Sequence, residues 1–183
     1  MLSHVVRDAT PADAERCREI YAPYVESTAI TFEESAPDTA EMERRIADAQ
    51  LGHAWLVLEE AQPDGAGRIL GYAYAGPFAR RAAYRWAAEV SVYLEQGSSR
   101  RGGGRALYAA LLPRLAERGF RVAMACMTLP NDASVGLHEA LGFEQVGTYP
   151  DIGWKLGAWH SVGWMQLRLP AAGDPAGPPS ELR

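Results

Sequence analysis

Between a strand-like run and an apolar helical stripe the chain carries Arg100-Arg101-Gly102-Gly103-Gly104-Arg105, and no other segment constrains the fold as much. Before it, Trp86 to Leu94 alternates with period two. Trp86, Ala88, Val90 and Val92 fall on one face, and Ala87, Glu89, Ser91 and Tyr93 on the other. After it, Ala106, Leu107, Ala110, Leu111 and Leu115 recur at helical spacing, with Pro113 as a kink or a tolerated interruption. A strand that enters a helix through glycines points to a layered α/β fold. The glycines also let backbone N–H groups approach an anion, and a helix start adds partial positive charge. The segment therefore reads either as a pyrophosphate cradle neutralised by arginines or as a glycine-rich turn with solvated arginines.

The rest of the chain alternates in the same way. HVVRD, before Thr10, reads as a short strand, and Thr10 with Pro11 opens a helix whose Ala14, Cys17, Tyr21 and Tyr24 share a face. A loop through Thr31 and Phe32 leads to a second helix from about Thr39 to Leu51. AWLVLEE from Ala54 and ILGYAYA from Ile69 read as strands joined by a turn at PDGAG, starting at Pro63. VAMACM from Val122 is a buried strand. Asn131 or Asp132 caps a short helix to Leu141 that Gly142 stops. A last strand pair is expected at Glu144 to Thr148 and His160 to Leu169. The pattern predicts a mixed, twisted sheet of about seven strands flanked by about four helices, an α/β fold.

Hydrophobic residues make up 48% of the 183, enough for one core, and the domain is expected over 1–169. From Pro170 the Pro/Gly-rich remainder (170–183) reads as a flexible tail. The net charge of −5 disfavours nucleic acid, which needs an excess of Lys and Arg. Lys155 is the only lysine, so the positive charge is otherwise arginine. No apolar run approaches the roughly 20 residues of a membrane span, and no secretory leader opens the sequence, so a cytoplasmic protein is expected. Cys17 and Cys126 are too few for a disulfide framework, and His4, His53, His138 and His160 lack metal-ligand spacing, so no metal is expected.

Common nucleotide motifs fail. Gly104 is followed by Arg105 where a Walker loop needs Lys, Leu107 stands where a dinucleotide fingerprint needs glycine, and no GxSxG elbow occurs. What the loop resembles is Q/R-x-x-G-x-G/A, the coenzyme A signature of the GNAT acetyltransferases. It is read here as Ser99-Arg100-Arg101-Gly102-Gly103-Gly104, with Ser99 departing from the preferred Gln or Arg. A shifted register, Arg101-x-x-Gly104-x-Ala106, also fits the letters, but the first places Leu107 and Leu111 properly on the helix face. YAYAGPFARRAAYRWAAEVSVY (Tyr72 through Tyr93), LPNDASVGLHEALGF (Leu129 to Phe143) and GAWHSVGWMQL (Gly157 to Leu167) resemble the phosphinothricin and methionine sulfoximine acetyltransferase branch of that family. The resemblance runs from about Val5 to Arg168.

The resemblance implies a GNAT fold, acetyl-CoA as co-substrate and no metal. It makes Glu89 the general base and Val92, Tyr93 and Leu94 the strand that pairs with the pantetheine arm. Arg100, Arg101, Gly102, Gly103, Gly104 and Arg105 become the pyrophosphate loop, and Asn131 a polar coenzyme contact. His138 stands where many relatives have a tyrosine that protonates the departing thiolate. Phe32, Arg81 and Tyr84 correspond to the acceptor region. Ala79 stands where herbicide-acetylating members carry a basic residue, and Ser161 where an Asp often follows the histidine. The implied reaction is acetylation of the α-amino group of a small amino-acid analogue. Peptide or protein N-acetylation and a non-catalytic coenzyme A-binding module are the alternatives. Cys126, in an apolar strand, is expected to be buried and inert. Trp159, Trp164 and Met165 suggest an apolar outer surface and a homodimer.

Overall fold

The computed structural model describes residues 4–61, 67–97, 102–170 and 181–182. In chain order these form β1 (His4–Asp8), a 3-10 turn (Pro11–Asp13), α1 (Ala14–Ser27), α2 (Thr39–Gly52), β2 (Ala54–Ala61) and β3 (Gly67–Pro77). A second 3-10 turn (Ala82–Tyr84) leads to β4 (Ala87–Leu94), α3 (Gly103–Glu117), β5 (Val122–Leu129), α4 (Asp132–Ala140), β6 (Glu144–Lys155) and β7 (Ala158–Arg168). The strands make one seven-stranded sheet in the order β1-β2-β3-β4-β5-β7-β6. This is the expected α/β architecture.

The period-two pattern sorts side chains to the two faces. Leu56, Leu58, Ala73, Ala75, Ala88 and Val90 meet Leu107, Leu111 and Leu115 of α3, all fully buried or nearly so. At roughly 1.5–3 kcal/mol for each fully buried large aliphatic side chain, this stripe holds α3 to the sheet despite Pro113 within the helix. On the opposite face Trp55, Val57 and Tyr72 meet Cys17, Tyr21 and Val25 of α1 and Met42 and Ile46 of α2. Side chains of the loop preceding α1 also tie in: the Asp13 carboxylate accepts the Thr10 N–H at 2.7 Å and pairs with Arg7 at 2.7 Å.

Every strand pairing is antiparallel except β4 with β5. That parallel pair is short, with Ala87 opposite Val122, Ala88 opposite Ala123 and Glu89 opposite Met124. Beyond Glu89 the two strands part, while β5 stays paired to β7 through Leu129. The edge of β4 that faces β5 is therefore left without a strand over its C-terminal half.

The last strand pair is much longer than the sequence pattern predicts. Pro150, Asp151 and Gly153 read as breakers, but the β6–β7 ladder absorbs them in an irregularity between Tyr149 and Gly153 and then resumes. An edge strand tolerates such a bulge and a proline. The hairpin closes at Leu156 and Gly157, both with positive φ (50° and 76°), which matches the twist of the flanking strands. Met165, expected on an outer apolar surface, is in the core, because its parity turns it towards α3. Trp164 packs edge-on against Phe78 instead of standing free. Of those three only Trp159 is exposed, in the company of Tyr149, Ile152, Trp154 and Leu156.

Most of the PDGAG turn lies outside the described residues, as do 171–180 of the expected tail. Leu182, near its end, packs against the α3 side of the core beside Gly119.

Candidate active site

The parting of β4 and β5 makes a cleft. Val90, Ser91, Val92 and Tyr93 line it from β4, Cys126 and Met127 from β5, and Tyr108, Asn131, Ser134 and His138 from α3 and α4. Val92, Tyr93 and Leu94 thus stand on the unpartnered edge. Their side chains are otherwise engaged: Val92 and Leu94 pack against the α3 core. The Tyr93 ring contacts Tyr21, Tyr24 and Tyr72 within 4.8–5.6 Å. Only backbone is left for a ligand, and the Leu94 carbonyl already accepts the Tyr24 hydroxyl at 2.6 Å.

At the mouth, Gly102 caps α3 with φ 75°, and a Cβ added there would meet no atom within 4 Å. Gly103 and Gly104 are buried for a different reason. A Cβ would fall 2.8 Å from Leu58 at Gly103 and 3.0 Å from Leu137 at Gly104, so these glycines let the helix start approach the sheet and α4. Arg105 is exposed in the first turn. Arg100 and Arg101 lie outside the described residues. Asn131 caps α4, its side-chain oxygen accepting the Ser134 N–H at 3.1 Å, and it faces the cleft.

Glu89 sits where the strands begin to part. Burial raises its carboxyl above the ordinary range, and among the described residues no hydrogen bond or ion pair reaches it. Cross-strand partners share a face, and the pairings place Gly76 on one side of Glu89. Cys126 lies on the same face, and desolvation by the protein around its sulfur, with a contribution from Glu89, pushes its thiol up to about 12. The expectation that Cys126 is buried is corrected: it is exposed, because the parting of β4 uncovers it. It stays a protonated thiol on account of its surroundings.

His138 is buried. Its Nδ1 lies 2.7 Å from the Ser134 carbonyl, an acceptor only, and its Nε2 lies 3.1 Å from the Tyr108 hydroxyl. Burial lowers its affinity for a second proton, so the ring is neutral near pH 7. In the neutral ring the single proton then sits on Nδ1, and Nε2 accepts from Tyr108. Tyr108 is not among the residues singled out in the sequence. The signal that singles it out is its spacing of one turn from Gly104, which puts its hydroxyl under α4.

The acceptor candidates form a rim. Phe32 rests in the bulge of β6, where a Cβ at Gly153 would collide with its ring, and lies 6.3 Å from the His160 ring. Tyr84 meets Phe78 edge-on at 5.8 Å, and Phe78 meets Trp164 at 5.7 Å. Trp164 is the cross-strand partner of Cys126, so this aromatic series reaches the Glu89 face. Arg81 is exposed just before the second 3-10 turn.

One charged residue not singled out as a site organises this rim. Lys155 is buried, and its Nζ donates to the Thr31 carbonyl at 2.7 Å. The Thr31 hydroxyl bonds Tyr21 at 2.7 Å, Tyr21 donates to Glu33 at 3.0 Å, and Glu33 takes Arg45 at 2.7 and 3.1 Å. The β6–β7 hairpin thereby pins the α1–α2 loop that carries Phe32.

A sheet opened beside its one parallel pair, with a glycine-started helix at the mouth and a half-buried carboxylate at the apex, is the architecture of a coenzyme A-dependent acetyltransferase. Residues 6–164 match the family model described as the acetyltransferase (GNAT) domain. The chain belongs to this family and is an N-acetyltransferase that uses acetyl-CoA. Within it, the chain is 37% identical over 179 residues to a phosphinothricin N-acetyltransferase of Streptomyces viridochromogenes, covering 97% of this chain and 95% of the relative. It is 35% identical over 169 residues to an L-methionine sulfoximine/L-methionine sulfone acetyltransferase of Pseudomonas aeruginosa, covering 92% and 96%. A GNAT superfamily phosphinothricin acetyltransferase from Sinorhizobium meliloti, solved in complex with acetyl-CoA, superposes with a TM-score of 0.87 at 36% identity, covering 97% of this chain and 94% of that one.

Proposed function

We propose that the enzyme acetylates the α-amino group of a small amino-acid analogue of the phosphinothricin or methionine sulfoximine type, with Glu89 as general base. The names of the relatives supply the substrate class. The observation that carries the mechanism is a half-buried carboxylate, raised by burial and free of partners among the described residues, at the apex of an open strand edge.

Acetyl-CoA brings an activated thioester. The unpartnered edge of Val92, Tyr93 and Leu94 fits an extended amide-bearing arm by adding to the sheet. The free N–H groups at the start of α3, with Gly102 and Arg105, and with Arg100 and Arg101 from the adjoining sequence, fit the pyrophosphate. Glu89 takes the proton from the acceptor ammonium, directly or through a water, and leaves a neutral amine. A raised affinity for protons suits it to that step. N–H groups on the open β4 edge near Val92 stabilise the oxyanion that develops on attack. The neutral tautomer of His138 has no proton at Nε2 to give. His138 instead accepts the Tyr108 hydroxyl proton at Nε2, which fixes both side chains in the cleft wall, and water returns the proton to the departing sulfur. Arg81 offers a forked bond to an acceptor oxygen, and Phe32 and Tyr84 wall its stem.

The test is kcat/KM for phosphinothricin, methionine sulfoximine, methionine sulfone and a peptide N-terminus, since specificity is a ratio of these values. The reading expects either phosphinothricin or methionine sulfoximine to lead. A peptide ahead by tenfold would overturn the acceptor assignment. Turnover of none of them would overturn the proposed acceptor class.

A further inference from the structure

On the Glu89 face, α2 stands off from β2 and β3 and leaves a cavity of about 400 Å³, within the range of small-molecule sites. Its sheet side is aromatic. Trp55 stacks on Tyr74 with centroids 4.5 Å apart and rings 14° from parallel, and on Tyr72 at 5.1 Å and 17°. Met42 and Ala49 face these rings from α2. The charged groups at the border are engaged elsewhere: Arg45 with Glu33 and Glu41, and Asp48 with Arg44 at 3.9 Å.

The cavity extends along β3 to Gly76, the cross-strand partner of Glu89. A Cβ built at Gly76 would meet no atom within 4 Å, so the sheet surface beside the carboxylate is bare backbone. Tyr74, which lines the cavity, lies close enough to Glu89 for the carboxylate charge to add to the rise that burial imposes on its hydroxyl. The cavity and the base therefore adjoin.

We propose that this cavity is the side-chain subsite for a second class of acceptor, L-α-amino acids with an uncharged aromatic side chain. It rests on the proposed acetylation of amino acids and adds to its acceptors. With the amine at Glu89, the side chain crosses Gly76 and lies against Tyr74, the one of the three rings that is not fully buried. A flat ring gains aromatic contact there. An ionised side chain would lose hydration with no counter-charge to replace it, so phosphinates and sulfoximines stay on the Arg81 side.

L-phenylalanine is titrated calorimetrically into enzyme loaded with coenzyme A, which carries no acetyl group to transfer, and kcat/KM is measured for L-phenylalanine and phosphinothricin with acetyl-CoA. Ala49→Phe, which fills the cavity from α2, should weaken L-phenylalanine binding and lower its kcat/KM at least tenfold, with phosphinothricin within twofold. Gly76→Val, built into open space, should likewise weaken L-phenylalanine binding and carries the test alone if Ala49→Phe does not fold. The proposal is overturned if the loaded wild-type enzyme does not bind L-phenylalanine, or if folded variants bind it unchanged. Binding that the variants abolish, with no amine acetylated, would support the cavity and overturn the proposed function instead.

Discussion

Glu89 is half-buried and raised by burial, and two consequences separate its chemistry from its cost. Turnover should fall on the acid side as the carboxylate is protonated, at a pH above its ordinary value of 4.5. Glu89→Gln should lower kcat roughly 100-fold with acetyl-CoA binding retained, and recover in part at high pH, where more amine is already neutral. The stability effect has the opposite sign. Below pH 4.5 both folded and unfolded chains carry a protonated Glu89, and as pH rises through the raised folded value the fold must ionise a buried group. Glu89→Gln should therefore melt above the wild type at pH 7 to 8, with the gap closing below pH 4.5; equal melting temperatures at neutral pH would contradict it. For Tyr108 and His138 the geometry predicts that Tyr108→Phe, which leaves the buried His138 Nε2 without its donor, lowers stability by about 1–3 kcal/mol in chemical denaturation. His138→Gln, which keeps an acceptor, should lose less than His138→Ala. Glu89 was legible because its strand alternates and its neighbours resemble a known block. Tyr108 was not, since nothing in the helix sequence sets a lone tyrosine beside that stripe apart until its partner on α4 is known.

At the scale of elements, strands and helices whose side chains alternate in burial were legible, while the β6–β7 hairpin was read short. Pro150 and Gly153 look like breakers in one dimension, yet an edge strand has room to bulge around them, and the bulge is what receives Phe32. Likewise the glycine run was legible as a special helix start, but the sequence does not divide its labour. Gly103 and Gly104 serve packing, and Gly102 serves backbone conformation. Gly102→Val meets no steric obstacle except its own φ of 75°, which opposes a β-branched residue. It should weaken acetyl-CoA binding at least tenfold by calorimetry while the fold persists, and unchanged affinity in a folded variant would refute the loop assignment. Lys155 tests the hairpin. Burial lowers its pKa, and its bond to the Thr31 carbonyl ties β6 to the α1–α2 loop. Lys155→Met should release the α1–α2 loop and raise the acceptor KM several-fold, with the acetyl-CoA KM unmoved. Lys155→Arg, which restores a donor, should recover part of the loss. A general loss of stability with no split between the two KM values would make Lys155 structural only.

Across the whole molecule the two ends of the sheet differ. β1 is a five-residue edge, whereas β6 is a twelve-residue edge. Tyr149, Ile152, Trp154, Leu156 and Trp159 on the β6–β7 hairpin are each more than half exposed, and Trp154 and Trp159 form an edge-on pair at 5.4 Å. A long, apolar, uncovered edge invites association, so we infer a homodimer joined here. Light scattering at micromolar concentration should give about twice the 19.9 kDa chain mass. Trp154→Glu with Trp159→Glu should halve it, because two buried like charges would face their copies across a symmetric interface. A wild-type mass near 20 kDa would contradict the dimer. The same variant carries a functional reading. The inner side of β6 holds the acceptor loop through Gly153 and Lys155, and the outer side would hold the partner. Separating the protomers should then loosen the loop, raise the acceptor KM and leave acetyl-CoA binding as it was, since the cleft proposed for the coenzyme lies between β4 and β5. Loss of both affinities together would mean that the hairpin supports the whole sheet and not the acceptor rim in particular.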